Sequence, residues 1–272
     1  TGAARFAGPA AVIAETETGP VKITARYFVI ATGSEPWIPP IAGLSDTPFY
    51  TNETIFSLRD AAEHLVIIGG GPIGIEMAQA HIRLGCRVSV IEPFALLARD
   101  DPELSRTLIT MLEAEGITFY RDAHIKTVTQ AGSSIHVTLE TGQTLEASHL
   151  LVAAGRRANI AGLALEKARI TASVRGITTD ERLRTSNRRV FAIGDVAGRH
   201  QFTHIAGYHA SIVIRNMLFK LPAKLDNRAG PWVTYTDPEL AHTGMSKADA
   251  EAQSGAPALK ITDWPFSEND RA

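Results

Sequence analysis

The chain has 272 residues, with 44% hydrophobic and 21% charged side chains, which is ordinary for a globular protein of one large domain or two. Its formal charge of −2 gives no reason to expect nucleic acid as a partner, and its single cysteine, Cys86, excludes an internal disulfide or a cysteine-cluster metal site. No apolar run approaches the ~20 residues that a membrane helix needs, and no signal peptide opens the chain, so we expect a cytoplasmic protein.

The first 40 residues predict strands followed by an extended excursion. Residues 10–30 contain two strand-forming runs separated by Thr-Gly-Pro at 18–20, which predicts a hairpin. Ala-Thr-Gly at 31–33 follows the apolar end of the second run, and three prolines among residues 36–40 exclude a regular element. We therefore expect a domain boundary near this point.

Residues 64–92 contain the parts of a dinucleotide-binding βαβ unit in the required order. Apolar runs at 65–68 and 88–91 predict two strands, and the segment between them predicts a helix that ends at Gly85. Apolar residues recur on this helix at the helical period and predict the face that covers a sheet: Ile73, Met77, Ala80 and Leu84.

Three glycines at the start of this helix have separate physical roles. Gly69 allows a tight turn off the strand, Gly71 lets backbone N–H groups approach a pyrophosphate, and Gly74 lets the helix pack against the strand. The positive N-terminus of the helix then faces the phosphates. The turn therefore predicts a dinucleotide site.

Glu92 lies 21 residues after Gly71, at the end of the second strand. An acid at this place accepts hydrogen bonds from the ribose hydroxyls of the adenosine. Because a carboxylate repels a 2′-phosphate, we predict NAD rather than NADP as the nucleotide. The alternative, that Glu92 is a solvated residue at a strand end, stays open.

The next residues predict the remainder of an open sheet. Asp-Pro-Glu at 101–103 is typical of a helix start, and Gly116 of a helix end. Residues 117–120 predict a third parallel strand. Three further runs, at 123–129, 134–140 and 143–147, predict an antiparallel meander, and 149–154 a buried strand.

A second short buried strand is predicted at 190–193, and it ends at Gly194 and Asp195. A helix from about 203 to 219 follows, with apolar positions at Ala206, Ala210, Val213, Ile214 and Leu218. Residues 231–235 and 258–262 predict strands of a further unit, which includes a helix that begins at Ser246.

Four separated motifs together resemble the pyridine nucleotide-disulfide oxidoreductases, nearest to lipoamide dehydrogenase and mercuric reductase. They are A-T-G-S at 31–34, G-G-G-P-I-G-I-E-M-A at 69–78, V-F-A-I-G-D at 190–195 and Y-T-D-P-E-L-A-H-T-G-M-S-K-A-D-A at 235–250. The resemblance implies an α/β fold in which a Rossmann-like NAD-binding domain, with a parallel sheet and a β-meander, is inserted in a partial FAD-binding domain of the same type. The start of an α+β interface domain follows. The implied boundaries are 1–50 and 159–228 for the two FAD segments, 51–158 for the NAD-binding domain and 229–272 for the interface domain.

The resemblance also implies which residues bind the two cofactors. NAD would contact the glycine turn, the strand-end acid and residues of three neighbouring segments: Gly69, Gly71, Pro72, Ile73, Gly74, Glu76, Glu92, Ile125 and Gly155. Glu76 would face the nicotinamide and the flavin. FAD would contact Ala4, Ala31, Thr32, Gly33, Gly194, Asp195, Thr203 and Ala206. Among these, Asp195 would accept a hydrogen bond from the ribityl chain.

The departures from the family pattern limit what we expect of this chain. A second glycine fingerprint near the N-terminus, the paired redox cysteines and the His-Glu pair of the interface domain are absent from the sequence. We therefore expect a fragment with no catalytic residue of its own, which holds FAD weakly or not at all and does not catalyse disulfide exchange. The complete protein would be a homodimer that passes electrons from NADH through FAD to a disulfide or a related acceptor.

Several alternatives stay open at this point. His200 and His204 are four residues apart and could share a metal ion, although no third ligand stands at a matching interval, so we predict no metal site. Glu76 could be solvated, and Asp195 could be an ordinary turn acid. The whole chain could be a stand-alone NAD-binding or redox-sensing module without catalysis.

Overall fold

A small antiparallel sheet opens the chain in the computed structural model, which describes residues 2–198, 201–226, 230–254, 259–265 and 268. Its strands are β1 (Gly2–Gly8), β2 (Ala11–Thr16) and β3 (Gly19–Thr24), followed by the short strands β4 (Phe28–Ile30) and β5 (Ser34–Pro36). The predicted hairpin at 18–20 is confirmed. β1 was not predicted, because only Phe6 of its side chains is buried and the strand has no apolar alternation.

The βαβ unit forms as predicted and continues into a four-stranded parallel sheet. Its elements are β6 (His64–Ile68), α1 (Pro72–Arg83), β7 (Arg87–Glu92), α2 (Pro102–Ala114) and β8 (Thr118–Arg121). Asp101 caps α2 by accepting hydrogen bonds from the backbone N–H groups of Glu103 and Leu104.

The predicted meander is also confirmed. It consists of β9 (Ile125–Ala131), β10 (Ser134–Leu139) and β11 (Thr144–Ala147), and β12 (His149–Val152) then returns to pair with β6 in the parallel sheet. All five residues of β6 are buried, so this strand lies at the centre of the sheet with apolar layers on both faces.

The rest of the described chain forms short strands and two further helices. They are β13 (Arg156–Ala158), β14 (Ala172–Ser173), β15 (Gly176–Ile177), β16 (Val190–Ala192), α3 (Thr203–Met217), β17 (Trp232–Thr234), β18 (Leu240–His242) and α4 (Lys247–Ser254). The strand predicted at 258–262 is wrong for residues 259–262, and residue 258 lies outside the described ranges. None of the helices in the described ranges is both long and apolar enough to cross a membrane.

Two strand pairs bring the segments before and after the βαβ unit together. β4 pairs in parallel with β16, and β5 pairs antiparallel with β13. The chain therefore enters the sheet of β6 beside the place where it leaves it.

The predicted apolar face of α1 is correct only in part: Met77 packs against the core and Ile73 is half-buried. The helix buries Gly74, Ile75 and Ala78 against the sheet, whereas Ala80 and Leu84 are exposed. The small residues Gly74 and Ala78 let the helix lie close to the strands. A pattern of large apolar side chains does not include such residues, so it does not predict this face. α3 differs from its prediction in a similar way: Val213 is buried as expected, but Ile214 and Leu218 are exposed.

α1 also contacts the hairpin of β17 and β18 through polar groups. Gln79, which is 4% exposed, donates to the backbone oxygen of Asp237 at 2.8 Å and accepts from its backbone N–H at 2.8 Å. The same side chain donates to Glu115 Oε1 at 2.8 Å. One buried amide therefore satisfies both backbone groups of a residue in the hairpin.

We predict that Gln79→Leu lowers the free energy of unfolding by about 1–3 kcal/mol, because it removes the two hydrogen bonds between the buried amide of Gln79 and the backbone of Asp237. Urea denaturation followed by tryptophan fluorescence measures the change. Gln143→Leu, at an exposed position of the meander, is the matched control and leaves the stability nearly unchanged. Equal stabilities of the two variants would show that the contact is dispensable.

Candidate functional site

The glycine turn between β6 and α1 has a shape that side chains would prevent. Gly69 has a φ of 115°, and a β-carbon on it would lie 2.4 Å from the backbone oxygen of Ala153. A β-carbon on Gly74 would lie 2.0 Å from the oxygen of Gly69. These two positions therefore require glycine for backbone conformation and for close packing, as the sequence predicts.

Gly71 differs from its neighbours because a β-carbon on it would meet nothing within 4 Å. It stands at the N-cap of α1, where its φ of −79° suits any residue, and Pro72 occupies the first helical position. Space at the start of a helix, beside unpaired backbone N–H groups, is the arrangement that binds phosphate. The open side of the turn therefore fits a pyrophosphate.

Glu92 lies against this turn at the end of β7. Its carboxylate accepts from the backbone N–H of Gly70 at 2.7 Å and from that of Phe94 at 2.9 Å. The side chain is half-buried, so the alternative of a solvated strand-end residue does not describe it. The acid and the glycine turn are thus held together at one edge of the parallel sheet.

Two other predicted contacts flank the same edge. The backbone N–H of Ala123 donates to the oxygen of Glu92, which brings the start of β9, and with it Ile125, beside the end of β7. Gly155 has a φ of 131° and follows β12, the strand on the other side of β6. The structure therefore brings the predicted NAD-binding residues to the carboxyl ends of the parallel strands.

Glu76 is half-buried on α1, on the side that faces the β17–β18 hairpin. Its Oε1 accepts from the backbone N–H of Tyr235 at 2.9 Å. Burial raises the pKa of the Glu76 carboxyl above its ordinary value, and the bond from Tyr235 opposes that shift. A carboxyl whose pKa is shifted by burial is typical of a functional group. The half-buried position of Glu76 does not match the alternative of a solvated side chain.

A cavity of about 560 Å³ lies beside β1 and the end of β4, away from the glycine turn. Its lining includes Ala4, Ala31 and Thr32, three residues that the sequence places at the FAD, together with Phe6 and Leu163. Thr32 and Gly33 are held by Asn159, whose side chain donates to the oxygen of Thr32 and whose backbone N–H donates to the oxygen of Gly33. The mostly apolar lining fits a flat aromatic group.

The Gly194–Asp195 turn lies between β16 and α3. Gly194 has a φ of 68°, and a β-carbon on it would lie 3.2 Å from that of Ala206 on α3. Its backbone N–H donates to Nδ1 of the buried His209 at 3.1 Å. The helix thus approaches the turn through the predicted residue Ala206, while Thr203 begins the helix and is exposed.

Sequence reasoning missed three residues that organise these turns: Arg156, Asn159 and His209. The first two have no local signal, because Arg156 and Asn159 bind Ser34 and Thr32, which lie more than 100 residues earlier in the chain. His209 has no such signal either, because a histidine on an apolar helix face is ordinary.

The alternative of a metal bound by His200 and His204 has no support in the described ranges. Nε2 of His204 lies 2.6 Å from the backbone oxygen of Pro231, and His200 lies outside the described residues. Within those ranges, no three His, Cys, Asp or Glu side chains are grouped as metal ligands.

Comparison with known proteins identifies relatives along nearly the whole chain. Residues 4–210 match the family model for pyridine nucleotide-disulphide oxidoreductases. A mercuric reductase of Streptomyces lividans is 38% identical over 252 residues, which are 91% of this chain and 53% of that protein. A dihydrolipoyl dehydrogenase of Chlamydia trachomatis is 33% identical over 270 residues, which are 96% of this chain and 57% of that protein. The chain thus spans about half the length of the curated relatives it matches.

A solved structure shares the fold. The HOCl-induced flavoprotein disulfide reductase RclA from Escherichia coli superposes with a TM-score of 0.88 at 28% identity, over 100% of this chain and 62% of that one. The prediction of a Rossmann-like α/β fold is therefore confirmed.

We predict that Glu76→Gln flattens the pH dependence of stability. Because the pKa of Glu76 is raised in the folded chain, its contribution to stability is present below the ordinary value of 4.5 and is lost as the pH rises through the folded pKa. Glu76→Gln should therefore raise the free energy of unfolding more at about pH 7 than at about pH 4. Urea denaturation at the two pH values measures the difference. Glu140→Gln, at an exposed site, is the control, and an equal effect of both variants would contradict the prediction.

Proposed function

Because this chain belongs to the pyridine nucleotide-disulphide oxidoreductase family, whose members are FAD- and NAD(P)H-dependent flavoproteins, we propose that it binds NADH and that the complete protein passes the electrons of NADH to FAD. The observation that carries this proposal is the contact between Glu92 and the N–H of Gly70. It holds a ribose-binding acid beside a turn that is open to a pyrophosphate at Gly71.

The proposed domain boundaries lie near two strand pairs, β5 with β13 and β4 with β16. Residues 51–158 form the NAD-binding domain, 1–50 and 159–228 form the FAD-binding segments, and 229–272 begin the interface domain. The pairing of β5 with β13 and of β4 with β16 supports this division, because each pair joins the two FAD segments or their junctions with the inserted domain. In the complete protein we propose a homodimer, the usual assembly of the family.

Within the NAD-binding domain, we assign the pyrophosphate to the turn of Gly69, Gly71 and Gly74 and to the helix start at Pro72 and Ile73. Glu92 binds the ribose of the adenosine, and Ile125 packs beside the adenine. Gly155 and Glu76 lie on the nicotinamide side. A half-buried carboxylate at Glu76 can position the nicotinamide amide or hold a proton near it.

For FAD, the residues of this chain fit one part of the cofactor. Ala4, Ala31, Thr32 and Gly33 lie at or beside the cavity of about 560 Å³. Gly194 and Asp195 form the turn after β16, and Thr203 and Ala206 lie in the first turn of α3. The N-terminus of α3 favours negative charge on a reduced ring. A bound flavin supplies the acceptor for the hydride of NADH and the donor of electrons to a disulfide or a related final acceptor.

Cys86 favours a second candidate function. It is the only cysteine of the chain and is 2% exposed, so these residues contain no dithiol that could receive electrons. On this reading, the 272 residues act as an NAD-binding or redox-sensing module without catalysis. A flavin spectrum and an assay for NADH-dependent disulfide reduction distinguish the two.

We predict that the chain binds NADH more tightly than NADPH, because the carboxylate of Glu92 repels a 2′-phosphate. Glu92→Gln removes the charge and should narrow the ratio of the two dissociation constants by about tenfold. Isothermal titration calorimetry with both nucleotides measures the ratio. Glu103→Gln, an exposed acid at the start of α2, is the control. Equal affinities of the wild type for NADH and NADPH would refute the assignment of Glu92.

We also expect the purified 272-residue chain to be colourless or to hold FAD in less than stoichiometric amount, and to lack disulfide reductase activity. Its sequence contains one glycine fingerprint, and this one forms the turn of the NAD-binding domain. Absorbance at the flavin bands, after incubation with excess FAD and gel filtration, measures retention. A stoichiometric yellow preparation would contradict this expectation.

A further inference from the structure

Arg156 joins parts of the chain that lie far apart in sequence. Its side chain is 19% exposed. Nε and Nη2 donate to the hydroxyl and the backbone oxygen of Ser34, at 2.7 and 2.8 Å, and Nη1 donates to Oδ1 of Asn52 at 3.0 Å. One planar guanidinium therefore binds both β5 and the segment that enters the NAD-binding domain.

The hydroxyl of Ser34 connects Arg156 to Asp195. It accepts from Arg156 Nε and donates to Oδ2 of Asp195 at 2.5 Å, while Arg156 Nε itself lies 3.9 Å from that oxygen. A serine hydroxyl has one proton to donate, so the bond from Arg156 directs that proton to the carboxylate. The orientation of Asp195 thus depends on Ser34, and that of Ser34 on Arg156.

We propose that Arg156 is a positioning residue for the flavin site. It holds the Ser34 hydroxyl so that the Asp195 carboxylate keeps the orientation in which it accepts a hydrogen bond from the flavin side chain. The inference rests on the proposed function, because it takes Asp195 as a flavin ligand. It adds that FAD affinity depends on a residue of β13, at the exit of the NAD-binding domain.

Arg157 is a matched control within the same strand. Its Nε donates to Glu35 Oε1 at 2.5 Å, across the same pairing of β13 with β5. Both side chains are exposed, at 63% and 46%. Neighbouring residues of a strand point to opposite sides, so Arg157 lies away from Ser34 and Asp195. Replacing either arginine removes one positive charge and its hydrogen bonds to β5, but only Arg156 belongs to the chain of bonds to Asp195.

The test measures FAD and NADH dissociation constants of the full-length protein by titration of its apo form. Arg156→Gln and Ser34→Ala should each weaken FAD binding by about tenfold or more, the effect of losing hydrogen bonds to a charged group. Arg157→Gln should leave FAD binding unchanged, and Ser34→Thr, which keeps the hydroxyl, should restore it. NADH affinity should be the same in all four variants.

The double variant of Arg156→Gln with Asp195→Asn provides a second readout. If Arg156 acts through Asp195, the double variant binds FAD no more weakly than Asp195→Asn alone. The inference would be overturned if the two substitutions weakened FAD binding independently, so that their factors multiplied in the double variant. It would also be overturned if Arg156→Gln bound FAD as tightly as the wild type. Neither result would contradict the flavin site itself. A full-length wild type that binds NADH but takes up no FAD would refute the proposed flavin function, and the inference with it.

Discussion

The proposed nucleotide site depends on two backbone contacts that leave no room for a β-carbon. Gly74 on α1 lies against the oxygen of Gly69, and Gly69 lies against Ala153 after β12. These contacts place the start of α1 directly over the end of β6, where its unpaired N–H groups are available. The carboxylate of Glu92 then binds the N–H of Gly70 and holds the end of β7 at the same point. The geometry of the site is therefore a consequence of how the helix packs on the sheet.

Other contacts connect this site to the rest of the chain. β5 and β13 pair antiparallel, and the hydrogen bonds from Arg156 to Ser34 and from Ser34 to Asp195 begin at this pair. On the opposite side, buried Gln79 holds the hairpin of β17 and β18 to α1. Exposed ion pairs such as that of Arg157 contribute little in water, so backbone pairing and buried hydrogen bonds carry these connections. These contacts thereby connect the residues around the parallel sheet with the proposed flavin segments and the proposed interface segment.

The sequence predicts the βαβ unit well because its parts are local. A glycine turn, an apolar strand and a strand-end acid each follow from a few adjacent residues, and the order of elements in the parallel sheet follows from them. The face of α1 could not be predicted in this way, since Gly74 and Ala78 are buried for their small size. The roles of Arg156 and His209 depend on contacts with residues distant in sequence, which a single sequence does not reveal. β1 was not predicted because Phe6 is the only residue of this strand that is buried.

An NMR titration of the isotope-labelled chain with NADH, with the backbone amides assigned, tests most directly whether the glycine turn binds the pyrophosphate. We expect the largest shift changes among residues 69–74, at the turn and helix start, and a further change at Phe94 as Glu92 binds the ribose. Gly71→Ala, where a methyl group meets no protein atom, should keep the fold and lose these changes. Saturable NADH binding with shift changes elsewhere, or undiminished shift changes in Gly71→Ala, would contradict the assignment of the glycine turn to NADH.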